Sequence, residues 1–529
     1  VMKIKVFFDV RVPDDTNTFL PKITQILKDV NVDFYYENIE AYPIRGYYPT
    51  KQKYLRIFTN DLEKRKIGIL AIRNHFETAS DDLTNYHRKI ARERELSLCH
   101  WMVLSNAKFS YPEHRDWVRV EVNIEDIKTD WNKNDKDKTL VFTWDIETYS
   151  KRKTGEAPDP QYSDDVVFMI CITIHWKDDV KPLYQVCLVD VDTAPDDRWD
   201  TIVCGSQKNI LLAFALCFRK FLPDYQVGFN DSNYDWPFIL KKAFDFKILA
   251  EMFKTMSMIC RNGQTDDAIK TYNWRVKQRI KISAEEIFFS EYLKIGGCIP
   301  IDVRVCFKKL YPRSETTKVG SLKFYLSIEG LPSKADMPFK RMWNYYENCD
   351  TEHMRHVAHY CIIDALSCQR LLCRRNVIND YKEVSNLAFV SLADSHYYAG
   401  GMRVCNLLGS YAWKRDILVS LIPPERDEDK EKIKYPGAYV FPPEKGLTPN
   451  PERMQQVEMI KVEMLKVESQ SSFSILENDR PVTGLDFSSL YPSLIMTYNL
   501  SPEKILLQES DYQYWKSQGK TIHSISFPF

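Results

Sequence analysis

Residues 139–148 read TLVFTWDIET, an apolar run interrupted by two carboxylates. In an extended strand, successive side chains point to opposite sides, so Asp145 and Glu147 leave one face and Ile146 the other. Two adjacent carboxylates repel each other unless a cation lies between them, which is why such pairs are common at Mg²⁺ or Mn²⁺ sites. A solvent-exposed strand face gives the same pattern, so this stretch alone leaves both interpretations open.

The segments that follow predict the sheet to which this strand belongs. Two further strands are expected at 166–176 and 182–191, then a helix at 208–222 and a short strand at 225–230. Three strands, a helix and a fourth strand are typical of a mixed α/β sheet with helices on its faces. We therefore predict an α/β, or multidomain α+β, protein.

A chain of 529 residues exceeds one ordinary core and predicts several domains. The polar run TDWNKNDKDK at 129–138 is a natural boundary. We expect an N-terminal domain at 1–137, a second domain at 138–380, and a third segment at 381–529. In the first, residues 81–95 have a helical pattern, with Asp81 and Asp82 as N-cap and first-turn acids.

Composition excludes several classes of protein. The 73 basic and 73 acidic residues balance, so nucleic-acid contacts are expected in local clefts rather than over a uniformly basic surface. The 13 cysteines form no CxxC pair, which favours reduced core thiols in an intracellular protein. No apolar run is long enough for a membrane span, and no signal peptide is recognised at the start.

Two later stretches add acidic groups to the pair on the strand. In VGFNDSNYDWPFI, 227–239, a strand ends at Asn230 and Asp235 precedes a helix, so Asp235 is either a site residue or only an N-cap. In YCIIDALSCQRLL, 360–372, Tyr360 and Asp364 are four residues apart and share one helix face.

These side chains match the needs of a two-metal hydrolase. Asp145, Glu147 and Asp364 would hold the metal that activates water. Asp145 would bridge to a second metal, which Asp235 helps to hold beside the leaving 3′ oxygen. Tyr360 would position the water and the scissile phosphate.

The same three stretches resemble the exonuclease motifs of family B DNA polymerases, in the family's order: DIET, GFNDSNYDWPFI and YCIID. The resemblance implies an RNase H-like 3′→5′ proofreading exonuclease domain at 138–380, with Asn230 among the substrate-binding residues. The segment GGCIPIDVRVCFKKLYP, 296–312, also resembles the family. Its basic residues either face a phosphate backbone or form a solvated helix face; they are Arg304, Lys308, Lys309 and nearby Arg313.

Two stretches further on resemble polymerase motifs of the same family. SHYYAGG, 395–401, is similar to the YxGG loop that touches the template strand, which implies contacts from Tyr398, Gly400 and Gly401. DFSSLYPSLIMTYN, 486–499, is similar to the first palm motif, DxxSLYPS. The resemblance makes Asp486 a ligand of both catalytic metals. It also implies that amides of Phe487, Ser489 and Leu490 cradle a triphosphate, and that Tyr491 lies under the sugar.

ETASDDLTNYHRKIARE, 77–93, and LPSKADMPFKRMW, 331–343, resemble polymerases of large nucleocytoplasmic DNA viruses. The implied function is DNA-directed DNA polymerisation in viral replication, in the host cytoplasm or nucleus, with two Mg²⁺ (or Mn²⁺) ions per site. The implied partners are primer-template DNA, single-stranded 3′ ends, deoxynucleoside triphosphates and a processivity factor. Later palm, fingers and thumb motifs are not recognised within 529 residues, so we expect this chain alone to trim DNA but not extend it.

Two other functions remain open: a stand-alone 3′→5′ exonuclease in which 396–529 is a binding platform, and a non-catalytic DNA-binding protein. The acid set argues against the second.

His353, His356 and His359 recur at intervals of three, which suggests a zinc site. On a helix they spread over ~120°, so we interpret them as a helix surface.

Overall fold

The computed structural model describes most of the chain: residues 2–12, 16–79, 84–111, 118–133, 137–152, 154–257, 277–283, 286–311, 320–332, 336–419, 488–506 and 508–524. Asp81, Asp82, Arg313, Asp486 and Phe487 lie outside these residues. The predicted helix begins at Tyr86 with Asn85 as its N-cap and has no acid in its first turn, so the expectation of Asp81 and Asp82 in those positions is wrong.

The strands are β1 Met2–Lys3, β2 Val6–Arg11, β3 Phe34–Pro43, β4 Gln52–Thr59, β5 Met102–Leu104, β6 Lys108–Ser110, β7 Arg119–Asn123, β8 Ile127–Thr129, β9 Leu140–Ser150, β10 Asp165–Trp176, β11 Tyr184–Val189, β12 Asp200–Val203, β13 Tyr225–Gly228, β14 Gln278–Lys281, β15 Ile287–Ser290, β16 Ile299–Asp302 and β17 Ile417–Leu418. The helices are α1 Thr16–Asp29, α2 Leu62–Arg73, α3 Tyr86–Glu93, α4 Gln207–Phe221, α5 Asp235–Asp245, α6 Leu249–Met256, α7 Val303–Leu310, α8 Leu322–Ile328, α9 Phe339–Glu347, α10 Thr351–Arg374, α11 Val377–Ala388, α12 Leu392–Tyr397, α13 Gly400–Trp413, α14 Leu490–Tyr498 and α15 Glu509–Ser517.

The chain divides into two compact units, each built from separated segments. The first unit comprises Val1–Ile4 and Thr84–Tyr411, and the second comprises Lys5–Leu83 and Ala412–Phe529. The motif-based division at residues 137 and 380 stays a prediction.

The first unit is organised around a six-stranded sheet of order β12-β11-β10-β9-β13-β16. Strand β9 pairs antiparallel with β10 and parallel with β13, so the predicted mixed sheet is confirmed. The expected strands and helix are all present. Strands β12 and β16 at the two edges, Asp200–Val203 and Ile299–Asp302, were not predicted.

One face of this sheet is covered by α4 and neighbouring helices. Helix α4 begins after Ser206, whose hydroxyl accepts a hydrogen bond from Asn209 N–H at 3.3 Å. Its apolar side packs on Trp144, which is fully buried. The centroid of the Trp144 ring lies 5.0 Å from that of Phe214 and 5.2 Å from that of Trp236. Since side chains alternate along β9, burying Trp144 and Ile146 on this face directs Asp145 and Glu147 to the other.

The opposite face of the sheet packs against α10, a helix of 24 residues. Its N-cap Asp350 accepts a hydrogen bond from His353 N–H at 3.1 Å. Buried residues recur at helical spacing along it, and they include Met354, Cys361 and Cys368. This packing brings the predicted helix, with Tyr360 and Asp364, over the acidic face of β9.

The histidines at the start of α10 interact with other side chains. His353 Nδ1 lies 2.6 Å from Asp350 Oδ2 and its ring stacks on Tyr345, whereas the His359 ring stacks on Trp199. Among the described residues, no group of possible metal ligands includes any of the three. These contacts agree with the interpretation as a helix surface.

The second unit contains a four-stranded sheet of order β17-β3-β4-β2. Its core is formed by buried residues of β2, β4, α1 and α2, such as Phe8, Leu27 and Ile69. Helix α14 confirms the predicted helix after the DFSS turn, and none of its residues is buried. In the part of the chain that the structure describes, no helix has the length and apolar character needed to cross a bilayer.

Candidate metal centre

The two acids of β9 form the core of the candidate centre. Asp145 and Glu147 are partly buried, whereas Ile146 between them is buried. One ligand atom from each of Asp145, Glu147 and the Cys361 thiol lies within 4.8 Å of the others. Mg²⁺ and Mn²⁺ prefer oxygen ligands, so the two carboxylates suit such an ion and the soft thiol does not.

Cys361 is therefore better explained as a neighbour of the acids than as a ligand. Burial raises the pKa of this thiol well above its ordinary value, and the Asp145 and Glu147 charges act in the same direction. Its Sγ lies 3.5 Å from the Asp145 carbonyl oxygen and 3.7 Å from Asp145 Oδ2. A neutral thiol at these distances is a weak donor to Asp145.

Asp235 is the first residue of α5, and the N-cap position belongs to Tyr234. The interpretation of Asp235 as only an N-cap is therefore wrong. The pKa of Asp235 is raised to about 7, mainly by burial and also by the neighbouring Asp302, against hydrogen bonds from the backbone of Asp235 and Ile146 that lower it. The bond from Ile146 brings the Asp235 carboxylate to β9 at the residue between Asp145 and Glu147.

The start of α5 is held to β9 by a second contact. The Tyr234 hydroxyl lies 2.8 Å from Thr148 Oγ1. Burial raises the pKa of Tyr234, and the charges of Asp235 and Glu147 contribute to the rise. Asp235 and Glu147 are thus both close enough to the Tyr234 hydroxyl to raise its pKa.

Helix α10 supplies the fourth acid and the tyrosine. Asp364 is buried, and Tyr360 is partly buried against the core beneath α10. Burial raises the pKa of the Cys368 thiol, one turn beyond Asp364, and four carboxylates raise it further: Asp145, Asp231, Asp364 and Asp302. Acids from β9, from α10 and from the turn after β13 therefore surround one section of α10.

Sequence reasoning missed Asp231 and Asp302, which are 1% and 3% exposed. Asp302 ends β16 and is the N-cap of α7. An aspartate between an apolar strand and a helical run is an N-cap signal, so this role was recognisable in the sequence. Its hydrogen bonds from Asn230 and Ser232, in the turn that contains Asp231, were not recognisable, because Asp302 is far from that turn in the chain.

Three basic residues of the segment 296–313, Arg304, Lys308 and Lys309, have protein partners. Arg304 Nη1 donates to Asn230 Oδ1 at 2.6 Å, and Lys308 pairs with Glu286. Lys309 donates to the His396 carbonyl oxygen, and burial lowers its pKa to about 8. These three side chains bind groups of the protein itself, so neither a phosphate backbone nor a solvated helix face accounts for them.

The two glycines of SHYYAGG do not lie in a loop. Gly400 and Gly401 are the first residues of α13, and only Tyr398 and Ala399 connect it to α12. The Arg88 guanidinium lies 4.7 Å from the centroid of the Tyr398 ring and pairs with Asp394 at 2.5 Å. Tyr398 and Gly400 border a cavity of about 460 Å³, together with Lys309, Tyr381 and Arg403.

Of the palm motif, the structure describes only the helical part. Ser489 is the N-cap of α14 and has a left-handed backbone, with φ of 59°. Leu490 and Tyr491 form the first turn, and Tyr491 is 78% exposed. A helix start with an exposed tyrosine is consistent with a ligand site, but Asp486 and Phe487 lie outside the described residues.

Comparison with known proteins identifies both motif-bearing regions. Residues 81–316 match the family model "DNA polymerase family B, exonuclease domain", and residues 478–526 match "DNA polymerase family B". The chain is 41% identical over 537 residues to "DNA polymerase beta" of African swine fever virus (isolate Tick/Malawi/Lil 20-1/1983), a match that covers 100% of this chain and 41% of the relative. It thus spans about two fifths of the length of that curated relative.

More distant proteins give the same picture. The DNA polymerase delta catalytic subunit of Drosophila melanogaster is 23% identical over 78% of this chain and 33% of its own length. The solved family B DNA polymerase of Pyrobaculum calidifontis superposes with a TM-score of 0.54 and 16% identity, covering 83% of this chain and 49% of that one. At that identity the likeness shows the fold alone. The two matching family models and the viral relative show that this chain belongs to the family B DNA polymerases.

Proposed function

We propose that the first unit holds a divalent-cation-dependent 3′→5′ exonuclease site within a DNA-directed DNA polymerase of viral replication. One observation carries this proposal: Asp145 and Glu147 share a partly exposed strand face, and Asp235 is hydrogen-bonded to the backbone of Ile146 between them. Clustered carboxylates open to solvent are what a site for hard cations requires.

Asp145, Glu147, Asp235 and Asp364 would hold two Mg²⁺ ions, with Mn²⁺ as a substitute. When bound, such ions lower the pKa of a coordinated water and stabilise the leaving oxygen of a phosphodiester. Tyr360, one turn before Asp364 on α10, would hold the attacking water or the scissile phosphate through its hydroxyl. Asn230, whose side chain meets Arg304, is proposed to contact the single-stranded substrate.

The polymerase part of the proposal rests on the second pair of motifs. Asp486 would bind the metals of nucleotide addition, and Phe487, Ser489, Leu490 and Tyr491 would contact the incoming deoxynucleoside triphosphate. Tyr398, Gly400 and Gly401 would contact the template strand. Primer-template DNA and a processivity factor are the proposed partners, and the host cytoplasm or nucleus is the proposed site of replication.

The exonuclease proposal is tested with a single-stranded oligonucleotide labelled at its 5′ end. We expect the chain to shorten it from the 3′ end with Mg²⁺ and not with EDTA. Asp145→Ala/Glu147→Ala should abolish trimming, whereas Glu156→Ala/Asp197→Ala, which removes two exposed acids, should not. Binding of the oligonucleotide without metal-dependent trimming would instead support a non-catalytic DNA-binding protein.

The polymerase proposal needs the protein that contains this chain, assayed by primer extension. Asp486→Ala should abolish extension and leave 3′ trimming intact, and the Asp145→Ala/Glu147→Ala pair should do the reverse. Trimming without any extension by that protein would support a stand-alone exonuclease.

A further inference from the structure

Asp302 connects two parts of the first unit through a single carboxylate. It ends β16, and it is 3% exposed. Its Oδ1 accepts hydrogen bonds from Arg304 N–H and Asn230 N–H, both at 2.9 Å, and its Oδ2 accepts one from Ser232 Oγ at 2.6 Å. Only the bond from Arg304 caps α7. The other two reach the turn that follows β13, which helix capping does not require.

That turn has a conformation that needs support. Asn230 lies in the left-handed region with φ of 64°, which is uncommon for a residue other than glycine. Its side-chain oxygen accepts a hydrogen bond from Arg304 Nη1 at 2.6 Å, and its carbonyl oxygen accepts from Asn233 and Tyr234 N–H groups at 3.0 and 3.1 Å. Asp302 and Arg304 therefore hold Asn230 from both its backbone and its side chain.

The turn leads directly into the candidate metal centre. The Trp236 N–H donates to the Asp231 carbonyl oxygen at 2.7 Å, so the turn and the first residues of α5 are joined. Asp235, the residue just before Trp236, begins the helix, and its carboxylate meets the Ile146 backbone on β9. A shift of the turn would move the Asp235 carboxylate relative to Asp145 and Glu147.

We propose that Asp302 is a positioning residue for Asp235: by holding Asn230 and Ser232, it sets the affinity of the acidic centre for a divalent cation. This inference rests on the proposed function of that centre. Groups that orient metal ligands from behind commonly change affinity by roughly ten- to a hundredfold when they are removed. Asp302 acts through the backbone of a turn, so we expect an effect near the lower end.

The test measures Mn²⁺ binding to the full chain by electron paramagnetic resonance, without DNA. Ser232→Ala removes the Oδ2 bond and leaves the cap of α7 in place, and we expect it to weaken Mn²⁺ binding by about three- to tenfold. Asp302→Asn should weaken it further. The matched control is Ser321→Ala, which removes the hydroxyl that accepts from Phe324 N–H at the start of α8 and should leave Mn²⁺ binding unchanged.

A double-mutant cycle separates positioning from a general structural role. If Ser232 and Asp302 act through Asp235, Ser232→Ala should cause no further loss of Mn²⁺ affinity in an Asp235→Asn background. An equal loss in both backgrounds, or wild-type affinity in Ser232→Ala, would overturn the inference while leaving the proposed function intact. A wild-type chain that binds no Mn²⁺ would overturn the proposed function, and this inference with it.

Discussion

Two groups of acidic side chains in the first unit differ in what surrounds them. The outer acids, Asp145 and Glu147, stand partly exposed on one face of β9. The inner acids, Asp231 and Asp302, are almost fully buried, and Asp302 accepts hydrogen bonds from protein groups at both oxygens. Asp235 lies between the two groups. The comparison teaches that a candidate cation site includes carboxylates that are open to solvent, whereas the structural acid Asp302 has both oxygens occupied by protein donors.

Burial has an energetic consequence for the inner acids. It raises the pKa of Asp231 well above the ordinary value, and the charges of Asp302 and Asp235 add to that rise. It also raises the pKa of Asp302, against the hydrogen bonds that lower it. A buried carboxylate must be stabilised by protein donors or lose its charge, so the inner acids are suited to holding a turn.

The largest effect on stability is expected from Trp144, which belongs to the core on the face of β9 opposite to the outer acids. Trp144→Ala should lower the free energy of unfolding by about 3–5 kcal/mol, because a fully buried indole on the opposite face of β9 would leave a cavity. Urea denaturation of the full chain measures this. The control, Trp101→Ala, removes an indole that is 40% exposed and should cost much less. Equal losses would mean that β9 is not anchored by this core.

The next prediction asks whether the outer acids bind a cation. Mn²⁺ at a hundred times its Kd should stabilise the protein by about 2.7 kcal/mol, because the ion binds the folded state only. Glu147→Gln should abolish this gain, measured as the shift in Tm with added Mn²⁺. Asp190→Asn, which changes a partly buried acid bonded to Tyr346, should keep it. A full shift in Glu147→Gln would remove Glu147 from the centre.

A substitution beside the inner acids tests how tightly they are packed. A Cβ on Gly228 would lie 2.4 Å from the Asp231 Cβ, so the two backbone segments could not keep their positions. We expect Gly228→Ala to destabilise the fold by about 1–3 kcal/mol. Gly401→Ala is the matched control, since an added Cβ there meets nothing within 4 Å. Equal stability of the two variants in urea would contradict the close approach at Gly228.

The smallest effect is the pH dependence of stability that arises from Asp190. Burial raises the pKa of this residue without a contribution from another acid. Burial raises the pKa of Asp190 to about 6, against the lowering effect of the Tyr346 hydroxyl hydrogen bond. The folded state therefore holds this proton more tightly than the unfolded state. The stability from this proton is fully present below the unfolded pKa, near 4, and is lost as pH rises through about 6.

Asp190→Asn should flatten the dependence of Tm on pH between about 4 and 7. Thermal unfolding across that range, with Asp192→Asn at a nearby exposed acid as control, provides the measurement. An unchanged slope in Asp190→Asn would mean that Asp190 does not keep its proton in the folded protein.

Much of the outer site was predictable because it depends on local periodicity. Alternation along β9 places Asp145 and Glu147 on one face, and a spacing of four places Tyr360 and Asp364 on one side of α10. Both patterns hold in the structure. The glycines of SHYYAGG show the limit of such reasoning, because a composition typical of loops proved compatible with the first turn of a helix.

The sequence by itself determined the mixed sheet, the acidic face of β9 and the helix that carries Asp364, because each follows from the repeat of a strand or a helix. Only the tertiary structure decided which acids are open and which are enclosed. That distinction arises from contacts between residues far apart in the chain, such as Asp302 with Asn230 and Ser232, and local periodicity contains no information about them.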